Sequence, residues 1–335
     1  MTSSNPNDDL IHATPRGLYC PQGDFYLDPW QPVERAVITH AHGDHLRAGN
    51  SRYVVAAPGA ELAAHRLPPG AELSPVGYGE RLWFGPVTVS LHPAGHILGS
   101  AQVRLECGGE VWVFSGDYKR DADPTCAAFE VVPCDAFISE ATFALPAYRW
   151  VSTGSVAAEI WNWWQSNRNR GRASVLFAYA LGKAQRVLAE LTALTEEPVF
   201  VHGAVASLVD IYRARGIAML PTLPAGSANA EEYKHALILA PPSASGSPWM
   251  RRFGEHRTGF CSGWMRVRGD RRRRGYDRGF VLSDHADWPS LLRTFRDTGA
   301  RRILLTHGYT DAMTRYLQEH GMNAEALKTQ YGAEE

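Results

Sequence analysis

Apolar residues occur first in short runs and later at helical spacing, and this change of period divides the chain. Over the first 150 residues the runs 36–39, 53–56, 87–91, 102–105, 111–114 and 136–139 are each only four or five residues long. Gly and Pro punctuate them, as in APGA, GPV, CGGE and DADP, so each run is predicted to be a strand. The pattern fits half of a β-sandwich with helices outside. From about Val151 the texture changes. Ser152 or Thr153 can cap a helix through 157–167, in which Ile160, Trp161 and Trp164 form an apolar stripe expected in the core. Trp163 projects from a different face and is the better candidate for stacking on a base. A strand (174–179), a helix (184–194), a strand (198–202), a helix (208–215) and a strand (236–240) follow, and that alternation predicts a mostly parallel, helix-flanked sheet. Strand character returns at 280–282 and 302–306, before a helix near 310–319.

Candidate chemistry gathers at the ends of these runs. The segment THAHGDH carries His40, His42, Asp44 and His45 in the loop after the run Ala36-Val37-Ile38, with Asp28 just upstream. Three neutral imidazoles and a carboxylate converging on one point suit two divalent cations better than one, because a single tetrahedral zinc held by all four would leave no opening for water or substrate. Further donors lie downstream: His96 in PAGHILGSAQV, Asp117 in VWVFSGDYKR and His307 in ILLTHGYT, each following or interrupting a strand-like run. Rigid strands can hold such distant residues at one edge of a sheet. Asp117, with two carboxylate oxygens, can bridge two cations. Taken singly, a strand-end His is more often structural, and an Asp in SGDY could be a turn residue. Their joint occurrence in this order gives the pattern its weight.

Composition narrows the class. A chain of 335 residues, 44% hydrophobic and 21% charged, is ordinary for a globular protein of one large or two medium domains. Five cysteines, odd in number and without a CxxC pair, read as reduced thiols of a cytoplasmic protein. No signal peptide is visible, and no apolar run approaches the roughly 20 residues that span a bilayer. With a formal net charge of -1, contact with nucleic acid must come from a local patch. Residues 266–278 supply one: Arg266, Arg268, Arg271, Arg272, Arg273, Arg274 and Arg278, with Tyr276 and Phe280 nearby. Arginines bind phosphates bidentately and aromatic faces stack bases. Lys183 with Gln185, where a strand gives way to a helix in YALGKAQRV, could hold a backbone phosphate. GxxxxGK[ST] is absent, so no nucleoside triphosphatase is implied.

Asp28 in YLDP, THAHGDH, GHILGS and SGDY resemble the four successive motifs of the metallo-β-lactamase fold. Glu140 in FISEATF, His285 in LSDHAD and His307 resemble the additions made by its β-CASP branch of nucleic-acid hydrolases. The longer phrases SDHADW and LTHGYTDAMTRYL are most similar to the bacterial ligase-associated DNA exonucleases. The resemblance runs from about residue 14 to 325. It implies an α/β fold, a metallo-β-lactamase αββα sandwich built from 1–154 and 281–335 with an α/β β-CASP domain inserted at 155–280. It also implies two divalent metal ions per chain, Zn2+ or Mn2+. His40, His42 and His96 would hold the first, Asp44, His45 and His307 the second, with Asp117 between them. Asp28 would orient the ligands or the metal-bound water. His285, paired with Glu140, would act as general acid or transition-state stabiliser. In APPSASGSPWM, Ser243, Ser245 and Ser247 resemble the small-residue loop that grips phosphate or a strand terminus.

The implied activity is a metal-dependent nuclease that attacks phosphodiesters with a bridging hydroxide. Its substrate would be single-stranded nucleic acid, DNA favoured over RNA, cut from an end during DNA repair in functional association with a DNA ligase and a helicase. An RNA-processing β-CASP ribonuclease is the alternative that His307 favours. A small-molecule hydrolase of thioesters or lactams has no need of the inserted block or the arginine run. A non-catalytic scaffold would be expected to have lost some of the donors.

Overall fold

A computed structural model describes residues 9–151, 153–267 and 275–329. The chain divides into two compact units, one of Met1–Ala122, Cys126–Pro146 and His285–Glu335, the other of Asp123–Thr125 and Ala147–Asp284.

In the first unit, β1 (His12–Thr14), β2 (Gly17–Cys20), β3 (Phe25–Leu27), β4 (Arg35–Val37), β5 (Arg52–Ala56) and β6 (Glu72–Val76) form a six-stranded sheet in chain order, antiparallel at first and parallel from β3 onward. The chain then lays down β7 (Arg81–Phe84), β8 (Val87–Pro93), β9 (Ala101–Cys107), β10 (Glu110–Phe114) and β11 (Ala136–Ala141).

The second unit carries β12 (Ala173–Phe177), β13 (Val199–Val201), β14 (Thr222–Pro224), β15 (Leu237–Ala240), β16 (His256–Cys261) and β17 (Arg278–Phe280) in the order β14-β13-β15-β12-β16-β17, every pair parallel. Successive residues of β12 face opposite ways. Leu176 packs with Ile160, Trp164 and Val187 from the helices 153–168 and 183–190, whereas Val175 and Phe177 pack with Tyr233, Met250 and Phe253. The expected parallel, helix-flanked sheet is therefore present. Trp163 corrects the expectation of an outward stacking ring. It is only 7% exposed and meets Phe280 edge-on at 5.5 Å, while Trp161 is half-buried. The helix buries a wider face than one stripe because β17 lies beside β16 as well as the sheet centre.

Back in the first unit, β18 (Arg302–Gly308) and β19 (Ala324–Ala326) complete a seven-stranded sheet ordered β19-β18-β11-β10-β9-β8-β7. Alternation along β10 explains the layering. Trp112 and Phe114 join Phe25, Leu27 and Val37 of the six-stranded sheet in one buried core, while Val113 joins Leu291, Phe295 and Met313 of the helices Trp288–Asp297 and Thr310–Glu319. On the other side of the sandwich the short helix Ala60–Arg66 buries Leu62 and Ala63, and Ala63 shares a small void with Val55 of β5. The order is thus helix, sheet, sheet, helix. Full burial of each large apolar side chain is worth about 1.5–3 kcal/mol, which holds the two sheets face to face.

Strand direction decides where the polar residues gather. β8 and β10 both run antiparallel to β9, and β10, β11 and β18 are mutually parallel. Four strands therefore end at the same edge, followed or terminated by His96, Asp117, Glu140 and His307.

Candidate metal centre

The loop after β4 turns sharply, Leu46 N bonding to His42 O at 2.7 Å, and this turn throws the histidines of THAHGDH toward the sheet edge. His40 Nε2 and His96 Nε2 lie 3.1 and 3.0 Å from His42 Nδ1. The nearest donor atoms of His40, His42, His96 and Asp117 all fall within 4.8 Å of one another. Asp117 Oδ2 is 3.5 Å from His40 Nε2, 3.6 Å from His96 Nε2 and 3.5 Å from His45 Nε2, so one oxygen addresses both halves of the cluster. On the second side, Asp44 Oδ2 is 3.7 Å from His45 Nε2, and the His307 ring stacks on His45 with centroids 5.4 Å apart. Asp44 is the solvent-facing member, its side chain 53% exposed.

This donor set fits divalent cations. Four nitrogen or oxygen ligands at about 2.0–2.1 Å from a tetrahedral zinc stand about 3.3 Å apart, close to the spacings here. His45 Nε2 is also buried, 3.5 Å from Asp117 Oδ2 and 3.7 Å from Asp44 Oδ2, spacings that a shared cation would fill.

Electrostatics agree. Burial, reinforced by the neighbouring His45, holds the His40 imidazole well below the ordinary histidine range. Burial likewise lowers His307 to about 4, so it is a neutral donor at physiological pH. Burial would lower His45 too, but Asp117 and Asp28 overcome it and hold that imidazole well above its usual value. Burial opposes ionisation of Asp117, yet His45, His285 and His40 keep its carboxyl well below the usual carboxylate range.

Local backbone is bent to achieve this. Asp28 and His307 have φ of 39° and 58°, a left-handed conformation costly for residues other than glycine and typical of functional sites. Asp28 is no simple turn residue before Pro29. Its Oδ1 accepts from Thr39 N (2.8 Å), and its Oδ2 contacts Thr39 Oγ1 (2.6 Å) and His45 Nδ1 (2.7 Å).

His285 sits beside the cluster, its ring 4.7 Å from that of His96 and its Nδ1 2.8 Å from Glu140 Oε2. Glu140 is itself fixed from β11, its Oε1 accepting from Tyr118 N at 2.7 Å. The helix after SDHAD is capped by Asp287, whose side chain accepts from Ser290 N, and not by His285.

The expected substrate-binding residues fare differently. Lys183 is not offered to a phosphate. It is 3% exposed and ion-paired to Asp284, which also takes Arg186 Nη1 at 3.1 Å. Gln185 is buried and closes its own helix start, accepting from Gly182 N and donating to Ala180 O. Lys183 is taken by a distant carboxylate and Gln185 by its own helix start, which explains the correction. Ser245 is exposed, whereas the Ser247 hydroxyl donates to Ala244 O at 2.7 Å. Arg271, Arg272, Arg273 and Arg274 lie outside the described residues. Motif spacing does not single out Thr39, although its place beside His40 in THAHGDH is a visible signal.

No family model matches the sequence. A protein of Opitutus terrae named "Probable DNA ligase" is 34% identical over 319 residues, which is 93% of this chain and 30% of that protein. "Endoribonuclease YSH1" of Gibberella zeae is 32% identical over 107 residues and that of Yarrowia lipolytica 29% over 121, covering 30% and 35% of this chain. With the motifs assembled at one sheet edge, these likenesses decide the family. The chain is a β-CASP protein of the metallo-β-lactamase fold. This β-CASP protein spans less than a third of the ligase-named relative and 12% and 14% of the two endoribonucleases. A solved protein of unknown function from Enterococcus faecalis V583 shares its fold, with a TM-score of 0.59 at 12% identity over 89% of this chain and 79% of that one.

Proposed function

We propose that the chain is a two-metal phosphodiesterase that removes nucleotides from an end of single-stranded DNA. The observation that carries this reading is Asp117 Oδ2, placed 3.5 Å from both His40 and His45, with the His285–Glu140 pair alongside. When bound, Zn2+ or Mn2+ would activate water and neutralise charge on the phosphate. His40, His42 and His96 would hold one, Asp44, His45 and His307 the other, with Asp117 shared. Asp28 orients His45 from behind.

Glu140 fixes the ring of His285 through Nδ1, leaving Nε2 as the nitrogen that hands a proton to the departing oxygen. The arginines of 271–274, and Ser245, whose side chain is exposed, would steer the strand. Likeness to a protein named "Probable DNA ligase" across 93% of the chain supports DNA as the substrate and association with a ligase. Action in repair and a helicase partner are proposed from the resemblance of SDHADW and LTHGYTDAMTRYL to the ligase-associated exonucleases. An RNA-processing activity is the second reading, favoured by the likeness to endoribonucleases over about a third of the chain. Among the described residues no helix is long and apolar enough to cross a membrane. A cytoplasmic setting is proposed from the five cysteines, all free thiols.

The deciding experiment digests DNA and RNA single strands, labelled at either end, with zinc or manganese added back to chelator-treated protein. Stepwise shortening of DNA is expected. Strong preference for RNA transfers the assignment to the second reading, and no cleavage of either polymer with both ions bound overturns it.

A further inference from the structure

The placement of hydrogens behind the cluster points to a residue that the motif reading leaves without a role. As a carboxylate, Asp28 can only accept. Thr39 has one hydroxyl proton, and at 2.6 Å that proton goes to Asp28 Oδ2. The Thr39 oxygen is then an acceptor, and it lies 3.0 Å from His40 Nδ1. His40 must therefore carry its proton on Nδ1 and present the lone pair of Nε2, the atom that faces His42 and Asp117. The same Asp28 oxygen takes His45 Nδ1 directly at 2.7 Å, so Nε2 is the nitrogen of His45 left to give up its proton and face an ion.

We propose that Thr39 is a positioning residue whose hydroxyl relays Asp28 to His40, so that one carboxylate sets the tautomers of a histidine on each side of the centre. This rests on the two-cation reading above.

The surroundings hold the relay in one geometry. Thr39 is buried, and its backbone is tied at both ends, N–H to Asp28 Oδ1 and C=O to Ala101 N. Across from it, Gly116 has φ of 54° in the turn that delivers Asp117. A Cβ at Gly116 would stand 2.6 Å from both Cβ and Oγ1 of Thr39, so the turn closes over this side chain with no space to spare. The pairing has a counterpart on the far side, where Thr306 Oγ1 lies 3.0 Å from His307 Nδ1.

Thr39→Val keeps the shape and both backbone bonds but removes the hydroxyl, and Thr39→Ser keeps the hydroxyl. The test uses the full chain, with Mn2+ and Zn2+ titrated calorimetrically into metal-free protein and imidazole tautomers read by long-range 15N–1H NMR without metal. Thr39→Val is expected to lose about 10–100-fold in affinity at one of two positions, the usual consequence of removing a partner that orients a ligand. Thr39→Ser should bind like the wild type. In the NMR arm His40 should be Nδ1-protonated in the wild type and Thr39→Ser, and lose that preference in Thr39→Val. Equal affinities in all three chains, or equal losses in both variants, overturn the proposal. If the wild type binds neither ion, the two-cation reading fails instead, and the tautomer of His40 still decides for or against the relay.

Discussion

Replacing Glu140 by Gln separates two roles that His285 could have. The glutamate is buried in β11 and held from two sides, by Tyr118 N on Oε1 and His285 Nδ1 on Oε2. The backbone N–H of Tyr118 is buried and can only donate, so in Glu140→Gln the amide oxygen must stay there. The NH2 group is then forced toward His285 Nδ1, which can meet it only as a lone pair. The variant thus locks His285 into its neutral Nε2–H form while leaving the ring in place.

An imidazole acting as general acid needs the doubly protonated form, and here it loses it. Exchanging a charge-assisted hydrogen bond for a neutral one costs the difference between them, about 1–1.5 kcal/mol, or roughly 5–13-fold in rate at 1.36 kcal/mol per decade. Removing the ring in His285→Ala should lower turnover by about 10²–10⁴. The assay is single-turnover cleavage of end-labelled DNA at saturating metal, with bound ions counted by elemental analysis and the rate followed across pH. Both variants should keep their ions, and the basic arm of the pH profile should disappear in Glu140→Gln. Wild-type turnover in that variant would refute the acid role, and loss of an ion would make Glu140 a ligand and not a partner of His285.

Other parts of the site give separate checks. His307→Ala should reduce the bound ions from two to one, because His40, His42, His96 and Asp117 remain; two retained ions would remove His307 from the ligand set. Lys183→Met leaves Asp284 with Arg186 inside the second unit, and breaking a buried pair should cost about 3 kcal/mol, the low end of the usual range, seen in thermal unfolding with the KM for DNA unchanged. A raised KM without destabilisation would restore Lys183 as a phosphate ligand. Changing Arg271, Arg272, Arg273 and Arg274 together to Ser should weaken binding to single strands regardless of sequence. It should also flatten the salt dependence by about 0.7 in log–log slope for each phosphate no longer neutralised. An unchanged slope would remove this run from the substrate path.

What could be read from the residues alone follows from how far apart the interacting partners are. His40, His42 and His45 lie within one loop, so spacing suffices to bring their rings together, and the runs ending near His96, Asp117 and His307 are apolar enough to announce strands. β16 is not announced, because Arg257, Thr258 and Gly259 interrupt its pattern, although parallel pairing to β12 and β17 on both sides makes it an interior strand. Trp163 departs from expectation for a related reason: a helical stripe shows which face is apolar, but how wide a face is buried depends on β17, more than a hundred residues later.

Lys183 is the sharpest case. A lysine at a helix start reads as an anion site, and it is one, but the anion is Asp284, 101 residues downstream, and not a substrate phosphate. Sequence gives the chemical capacity of a charge, while the long-range partner decides whether that capacity faces solvent. The same rule explains why the metal cluster is legible. Its donors are concentrated in seven residues, four of them in one loop, and Asp117 Oδ2 lies 3.5–3.6 Å from His40, His45 and His96 at once. So many nitrogen and oxygen donors converging on one point call for a cation between them, and that convergence is what local spacing makes visible.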